Sequence, residues 1–191
     1  MEENRYRPTT EQLRAELERI SEPRAGSVFV RVLLVLLVLI LIIGALVAML
    51  LPGFVIYGDS MLPALAEGDV ALSWPYSTPK NGDMIAFRFG ERILIKRVIG
   101  SAGDRIEILE DGQVIRNGNS LAESYAMRSA TTPPETENPC IVPDNAFYVL
   151  GDNRISSVDS RNEIIGYVSQ DQVVGKIFLV FWPFSHIHLF T

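Results

Sequence analysis

From Val32 to Leu51 the chain runs twenty residues without a charged or polar side chain. As a helix rising 1.5 Å per residue, that run is about 30 Å long, the thickness of a bilayer's hydrocarbon core. Pro52 and Gly53 follow it, where a secretory leader would carry a small-residue cleavage site, so the run reads as a retained anchor. Upstream, Thr9-Thr10-Glu11-Gln12 has the spacing of a capping box, and Leu13, Leu17 and Ile20 recur at helical spacing. A short amphipathic helix is predicted there. Residues 21–27, which contain Pro23 and Gly26, read as a linker into the anchor.

Beyond Pro52 the pattern becomes extended. Val70–Trp74, Met84–Phe89 and Arg92–Ile99 are β-rich runs bounded by Pro, Gly, Asn and Asp. Arg105–Leu109 and Gln113–Arg116 flank Asp111-Gly112, a strong hairpin signal. Phe147–Leu150 and Val173–Phe181 complete the set. No segment here has a 3.6-residue period, so the predicted class is an all-β domain with antiparallel pairing, anchored by one N-terminal transmembrane helix. Residues 117–145 are rich in Ser, Thr, Pro, Asn and Glu and read as a small insertion. Ile177–Phe190 is apolar and aromatic but interrupted by Pro183. It is expected to form an edge strand with Phe178, Phe181, Trp182 and Phe184 at the lipid interface. The chain thus divides into a tail at 1–31, an anchor at 32–51 and a β-rich domain at 52–191.

Charge orients this arrangement. Arg14, Arg19, Arg24 and Arg31 precede the apolar run, whereas no Lys or Arg follows it until Lys80. The positive-inside rule predicts a cytoplasmic N-terminus, a single pass and an extracytoplasmic domain. Residues 1–31 hold six Arg and six Glu, so the net charge of −6 belongs to the exported part. That argues against nucleic acid as a partner. Cys140 is the sole cysteine, which rules out an intrachain disulfide, and nothing near it in sequence suggests reactivity.

Ser60 lies in the tight segment Tyr57-Gly58-Asp59-Ser60-Met61-Leu62-Pro63, and a serine nucleophile needs a group to take its proton. The chain has two histidines, His186 and His188, near the C-terminus. The other candidate is Lys96, alone among apolar residues. In a strand it shares a face with Leu94 and Val98, and burial there favours the neutral amine. An ordinary lysine is neutral roughly once in 2,500 molecules at pH 7, and a depression of about three units, costing around 4 kcal/mol, makes the free base a major species. A strand lysine whose head simply reaches solvent is the alternative.

Three blocks change the weighting. Ser60-Met61-Leu62-Pro63, then Lys96-Arg97-Val98-Ile99-Gly100-Ser101-Ala102-Gly103-Asp104, then Gly151-Asp152-Asn153-Arg154-Ile155-Ser156-Ser157-Val158-Asp159-Ser160-Arg161 stand in the order and spacing of bacterial type I signal peptidases, which the chain resembles over about residues 30–185. The resemblance implies a membrane-anchored serine endopeptidase that removes signal peptides from exported precursors through an acyl-enzyme, without metal or cofactor. It makes Ser60 the nucleophile and Lys96 the general base, with Ser157 hydrogen-bonded to the Lys96 amine. Asp159 and Arg161 become a supporting ion pair, and the Ser60 N–H an oxyanion donor. Gly58 stands where some members carry a second, hydroxyl donor. Ile155 and Ser156 stand where two polar residues are common.

The resemblance also implies an extended substrate with small residues at −1 and −3, received by Ile56, Met61, Leu65, Leu94 and Ile95. With Ser60 nine residues past the apolar run, the site is expected near the outer face of the bacterial cell membrane, acting as a monomer. Alternatives of the same outline are a relative dedicated to one client such as a pilus subunit, a non-hydrolytic assembly factor, and a self-cleaving regulator.

Overall fold

The computed structural model of the chain describes residues 9–21, 25–127 and 134–190. They fall into two compact units that meet between Val47 and Ala48. In the first unit, α1 (Thr10–Ser21) opens on the capping box: the Thr9 N–H donates to Gln12 Oε1 at 3.0 Å, and the Gln12 N–H to Thr9 Oγ1 at 3.4 Å. Helix α2 (Ala25–Leu50) starts inside the stretch read as a linker, because Gly26 and Ser27 lie in a continuous helical turn that the apolar run propagates. Its segment Val28–Val47 is long and apolar enough to cross a membrane, and its described side chains are exposed.

The second unit is built from two antiparallel sheets. The larger places β1 (Gly53–Val55), β2 (Val70–Trp74), β11 (Val173–Trp182), β3 (Met84–Phe89), β4 (Arg92–Ser101), β9 (Ala146–Leu150) and β10 (Val168–Ser169) in that spatial order, and β12 (His188–Leu189) also pairs with β11. The smaller has the order β7 (Asn119–Ser120), β6 (Val114–Arg116), β5 (Arg105–Ile108) and β8 (Cys140–Ile141). The β5–β6 hairpin turns at Asp111-Gly112 as the sequence predicts, the Gln113 N–H donating to Asp111 Oδ1 at 2.9 Å.

Alternation along the central strands distributes the core. On β3, Met84 and Ala86 join a cluster with Ile56, Met61, Leu65 and Ile177, whereas Ile85 and Phe87 face the opposite side with Val98, Phe147 and Val149. On β9, Phe147 and Val149 belong to that same cluster, while Tyr148 and Leu150 join Ile99, Ile106, Val114 and Val142 beneath the smaller sheet. Strands β3 and β9 are therefore buried on both faces, which explains why they read as unbroken apolar runs.

Two expectations are corrected. The terminal apolar run is not a single edge strand. Its first part, Ile177–Trp182 of β11, is paired with β2 and also with β12, to which the chain returns after Pro183, while the preceding Val173–Lys176 pairs with β3. The polar stretch 117–145 is not a simple excursion in its described parts. It supplies β7 and β8 to the smaller sheet and buries Glu123; residues 128–133 lie outside the described set.

Candidate active site

Ser60 sits in the turn that leaves β1, where Gly58 adopts φ +77°, a left-handed conformation that any residue with a Cβ would find strained. The turn is closed by Leu62 N–H to Asp59 C=O at 3.1 Å and Leu65 N–H to Met61 C=O at 2.9 Å. Lys96 projects from the middle of β4, where Leu94 and Val98 share its face. Its Nζ lies 2.8 Å from Ser60 Oγ, and the residue is only 4% exposed. Burial pushes the amine down to about 8; Asp159 opposes that shift, and the nearby Arg161 cation adds to it. Among the described residues no carboxylate is within ion-pair distance of Nζ.

The third block wraps the pair. Asp159 is buried, takes the Gly151 N–H at 3.0 Å, and is held by Arg161, whose Nε donates to Oδ1 at 2.8 Å and whose second nitrogen reaches Oδ2 at 2.9 Å. Arg161 also binds the carbonyls of Arg154 and Ser157, so one guanidinium gathers both ends of the loop. The Asn153 N–H donates to the Ser60 carbonyl at 3.0 Å and its side-chain amide to the Asp59 carbonyl at 3.2 Å. Gly151 marks the closest approach: a Cβ there would stand 2.2 Å from Ser157 Oγ and 2.6 Å from the Ser60 carbonyl oxygen. Only glycine fits.

Ser157 departs from expectation. Its Oγ is buried without a hydrogen-bond partner, to Lys96 or any other described residue, because the hydroxyl is drawn against Gly151 while the Ser157 carbonyl is tied to Arg161. A second layer was not legible in the sequence. Arg97 grips Asp152 with two nitrogens, donates to the Gly82 carbonyl at 2.8 Å and stacks 4.1 Å from the Tyr125 ring centroid. Arg154 pairs with buried Glu123. Both Tyr125 and Glu123 come from the polar stretch read as an insertion. His186 binds Asp69 at 3.1 Å. His188 meets the Phe190 ring edge-on, and the pair Ser60–Lys96 involves neither histidine.

A groove of about 620 Å³ opens in front of Ser60 and Lys96. Its walls are the segment Gly53–Met61 on one side and Arg92–Ile95 on the other. Of the five residues expected to receive substrate, Ile56, Met61, Leu94 and Ile95 line this groove; Leu65 does not, being fully buried in the core cluster that also holds Met61. Among the described residues no cluster of three or more His, Cys, Asp or Glu is arranged around a metal-sized site.

A half-buried serine hydroxyl thus lies against a buried lysine whose charged form burial disfavours. The family described as signal peptidase, peptidase S26, matches residues 29–182, more than half of the chain. The chain belongs to that family. It is similar to the signal peptidase I of Bacillus amyloliquefaciens, 30% identical over 186 residues, covering 92% of this chain and 98% of the relative. The signal peptidase I of Leptolyngbya laminosa is 34% identical over 144 residues, covering 68% of each. A probable signal peptidase I-1 of Synechocystis is 34% identical over 166 residues, covering 76% of this chain and 81% of that one. The crystal structure of a signal peptidase I from Enterococcus faecalis V583 superposes with a TM-score of 0.42 at 29% identity, covering 52% of this chain and 97% of the other. As a family S26 member the chain is a serine peptidase of signal peptides, with an all-β domain and an N-terminal apolar helix.

Proposed function

We propose that signal-peptide cleavage runs in this chain through an acyl-enzyme on Ser60, with Lys96 as its base. The observation that carries the reading is the 2.8 Å contact between Ser60 Oγ and a Lys96 amine brought down to about 8. At pH 7 such an amine is neutral in about one molecule in ten, roughly a 250-fold gain over an ordinary lysine. The neutral Nζ takes the Ser60 proton as Oγ attacks the scissile carbonyl carbon. The resulting ammonium returns that proton to the leaving amine as the C–N bond breaks. Water then repeats the cycle on the ester and frees Ser60. Asp159 and Arg161 hold the third block and set the field at Nζ.

The groove supports the substrate class. β1 is the end strand of its sheet, and β4 before Arg97 is paired on one side only, so two free edges face an extended peptide across the groove. Shallow apolar walls of Ile56, Met61, Leu94 and Ile95 suit small apolar side chains at −1 and −3. The basic residues before α2 and their absence directly after it support a cytoplasmic N-terminus and an extracytoplasmic β domain on a membrane. The relatives carry the name signal peptidase I, which does not favour a dedicated or non-hydrolytic role.

A synthetic precursor peptide with an Ala-x-Ala site, incubated with the full chain in detergent and read by mass spectrometry, tests this. Cleavage after the −1 alanine is expected, and Ser60→Ala should abolish it. Because the base works in its neutral form, kcat/KM should rise about tenfold per pH unit at low pH and level off above about 8. A flat profile, or turnover by Ser60→Ala, would overturn the assignment.

A further inference from the structure

We infer that Asn153 is a positioning residue for the oxyanion site, acting by fixing and polarising the peptide group whose N–H belongs to Ser60. This rests on the Ser60–Lys96 reading above. The peptide between Asp59 and Ser60 is planar and trans, so its C=O and N–H point in opposite directions. Whatever holds the Asp59 carbonyl therefore aims the Ser60 N–H. Two donors hold it: the Leu62 N–H from the turn itself at 3.1 Å, and Asn153 Nδ2 from across the sheet at 3.2 Å.

The Asn153 amide has little freedom to turn elsewhere. Its Oδ1 accepts the Ile155 N–H at 3.3 Å, which directs Nδ2 at Asp59, and the residue is buried. Its own N–H donates to the next carbonyl, that of Ser60. One residue thus fixes two consecutive peptide planes around the nucleophile. Filling both lone pairs of a carbonyl also draws electron density from the amide nitrogen, so the opposite N–H becomes a stronger donor. The gain is greatest when that N–H meets a full oxyanion, and small for a ground-state carbonyl. Position and polarisation both act on the transition state. Gly58, which offers no side-chain donor, leaves the Ser60 N–H more of the task.

The test compares wild type, Asn153→Ala and Asn153→Asp as full chains in detergent, on the Ala-x-Ala peptide. Asn153→Asp keeps the shape and the backbone N–H but cannot donate to Asp59. Removing a complete oxyanion donor costs about 10²–10³ in kcat. Losing its support should cost about 10- to 30-fold in kcat in both variants with KM unchanged, and in Asn153→Ala, which adds no charge, the pH limb should stay near 8. The second readout is a peptide aldehyde ending in alanine: Ser60 Oγ adds to its carbonyl carbon, and the new oxygen occupies the oxyanion position. Its affinity should fall by the same factor as kcat, while a product peptide binds as before. A kcat within twofold of wild type in Asn153→Asp overturns the inference, and so does a loss borne by KM. If Asn153→Ala proves unstable to heat, Asn153→Asp decides alone. Turnover by Ser60→Ala in the same assay would instead break the dyad reading on which the inference stands.

Discussion

Lys96 and Arg97 are neighbours on one strand, both cationic and both withdrawn from solvent, yet their fates are opposite. Arg97 points to the side where Asp152, the Gly82 carbonyl and the Tyr125 ring surround its guanidinium. Burial works against its charge, but the hydrogen bonds and charge of Asp152 more than offset that, holding the group above its ordinary value. Lys96 points to the other side, meets one hydroxyl, and is pushed down to about 8. Strand alternation places the two cations in two dielectric settings a single residue apart. A paired cation holds structure, and an unpaired one is left able to give up its proton.

The sharpest way to break the contrast is to remove the unpaired member. Lys96→Met should lower kcat/KM by about 10³-fold, in the range of a lost general base. It should also stabilise the fold, because the buried amine is a burden. With a folded value near 8 and an ordinary value of 10.5, the unfolded chain holds more protons between those limits. Wild-type stability therefore rises with pH across that window, and the penalty is complete below pH 8. The methionine variant should gain up to about 3 kcal/mol at neutral pH, and the gain should vanish near pH 10.5. Denaturant melts at pH 7 and 10.5 check the sign; equal stability at both would refute it.

Removing the counter-ion of the paired member should do the reverse. Asp152→Ala leaves a buried guanidinium uncompensated and should cost about 3–5 kcal/mol of stability, read by denaturant melts. A cost under about 1 kcal/mol would mean that solvent reaches Arg97 freely. The smallest effect is expected from Arg97→Lys. It keeps the charge but loses the two-pronged contact and the stacking on Tyr125, a cost of about 1–2 kcal/mol with the pH limb unmoved. A shifted limb would show that the two cations are electrically coupled, which the contrast denies.

Much of this was legible because burial leaves a mark on composition. Val70–Trp74 and Met84–Phe89 have their predicted bounds, since turn residues punctuate them and both faces of β3 are packed. Lys96 stood out because a charge inside an apolar strand is anomalous. Glu123, Tyr125 and Asn153 did not, since a polar residue in a polar stretch looks the same whether it is solvated or folded onto a buried guanidinium or carbonyl. Leu65 failed as a pocket residue for the converse reason: an apolar residue next to a groove and one beneath it have the same letter. Ser157 shows that a motif specifies neighbours more firmly than hydrogen bonds. The central place of β11 was hidden because pairing between distant strands leaves no local trace.

That placement has a consequence for timing. The piece of sheet that carries Ser60, β1 with β2, and the piece that carries Lys96, β3 with β4, are joined through β11. During synthesis Ser60 and Lys96 both leave the ribosome long before Val173 does. Until that strand pairs with both β2 and β3, the pieces bearing Ser60 and Lys96 share no continuous backbone ladder. What reaches from one to the other is the third block, running on from β9 and bonded to Ser60 through Asn153. The register between Ser60 and Lys96 thus depends on a late-emerging segment that hydrogen-bonds to neither side chain.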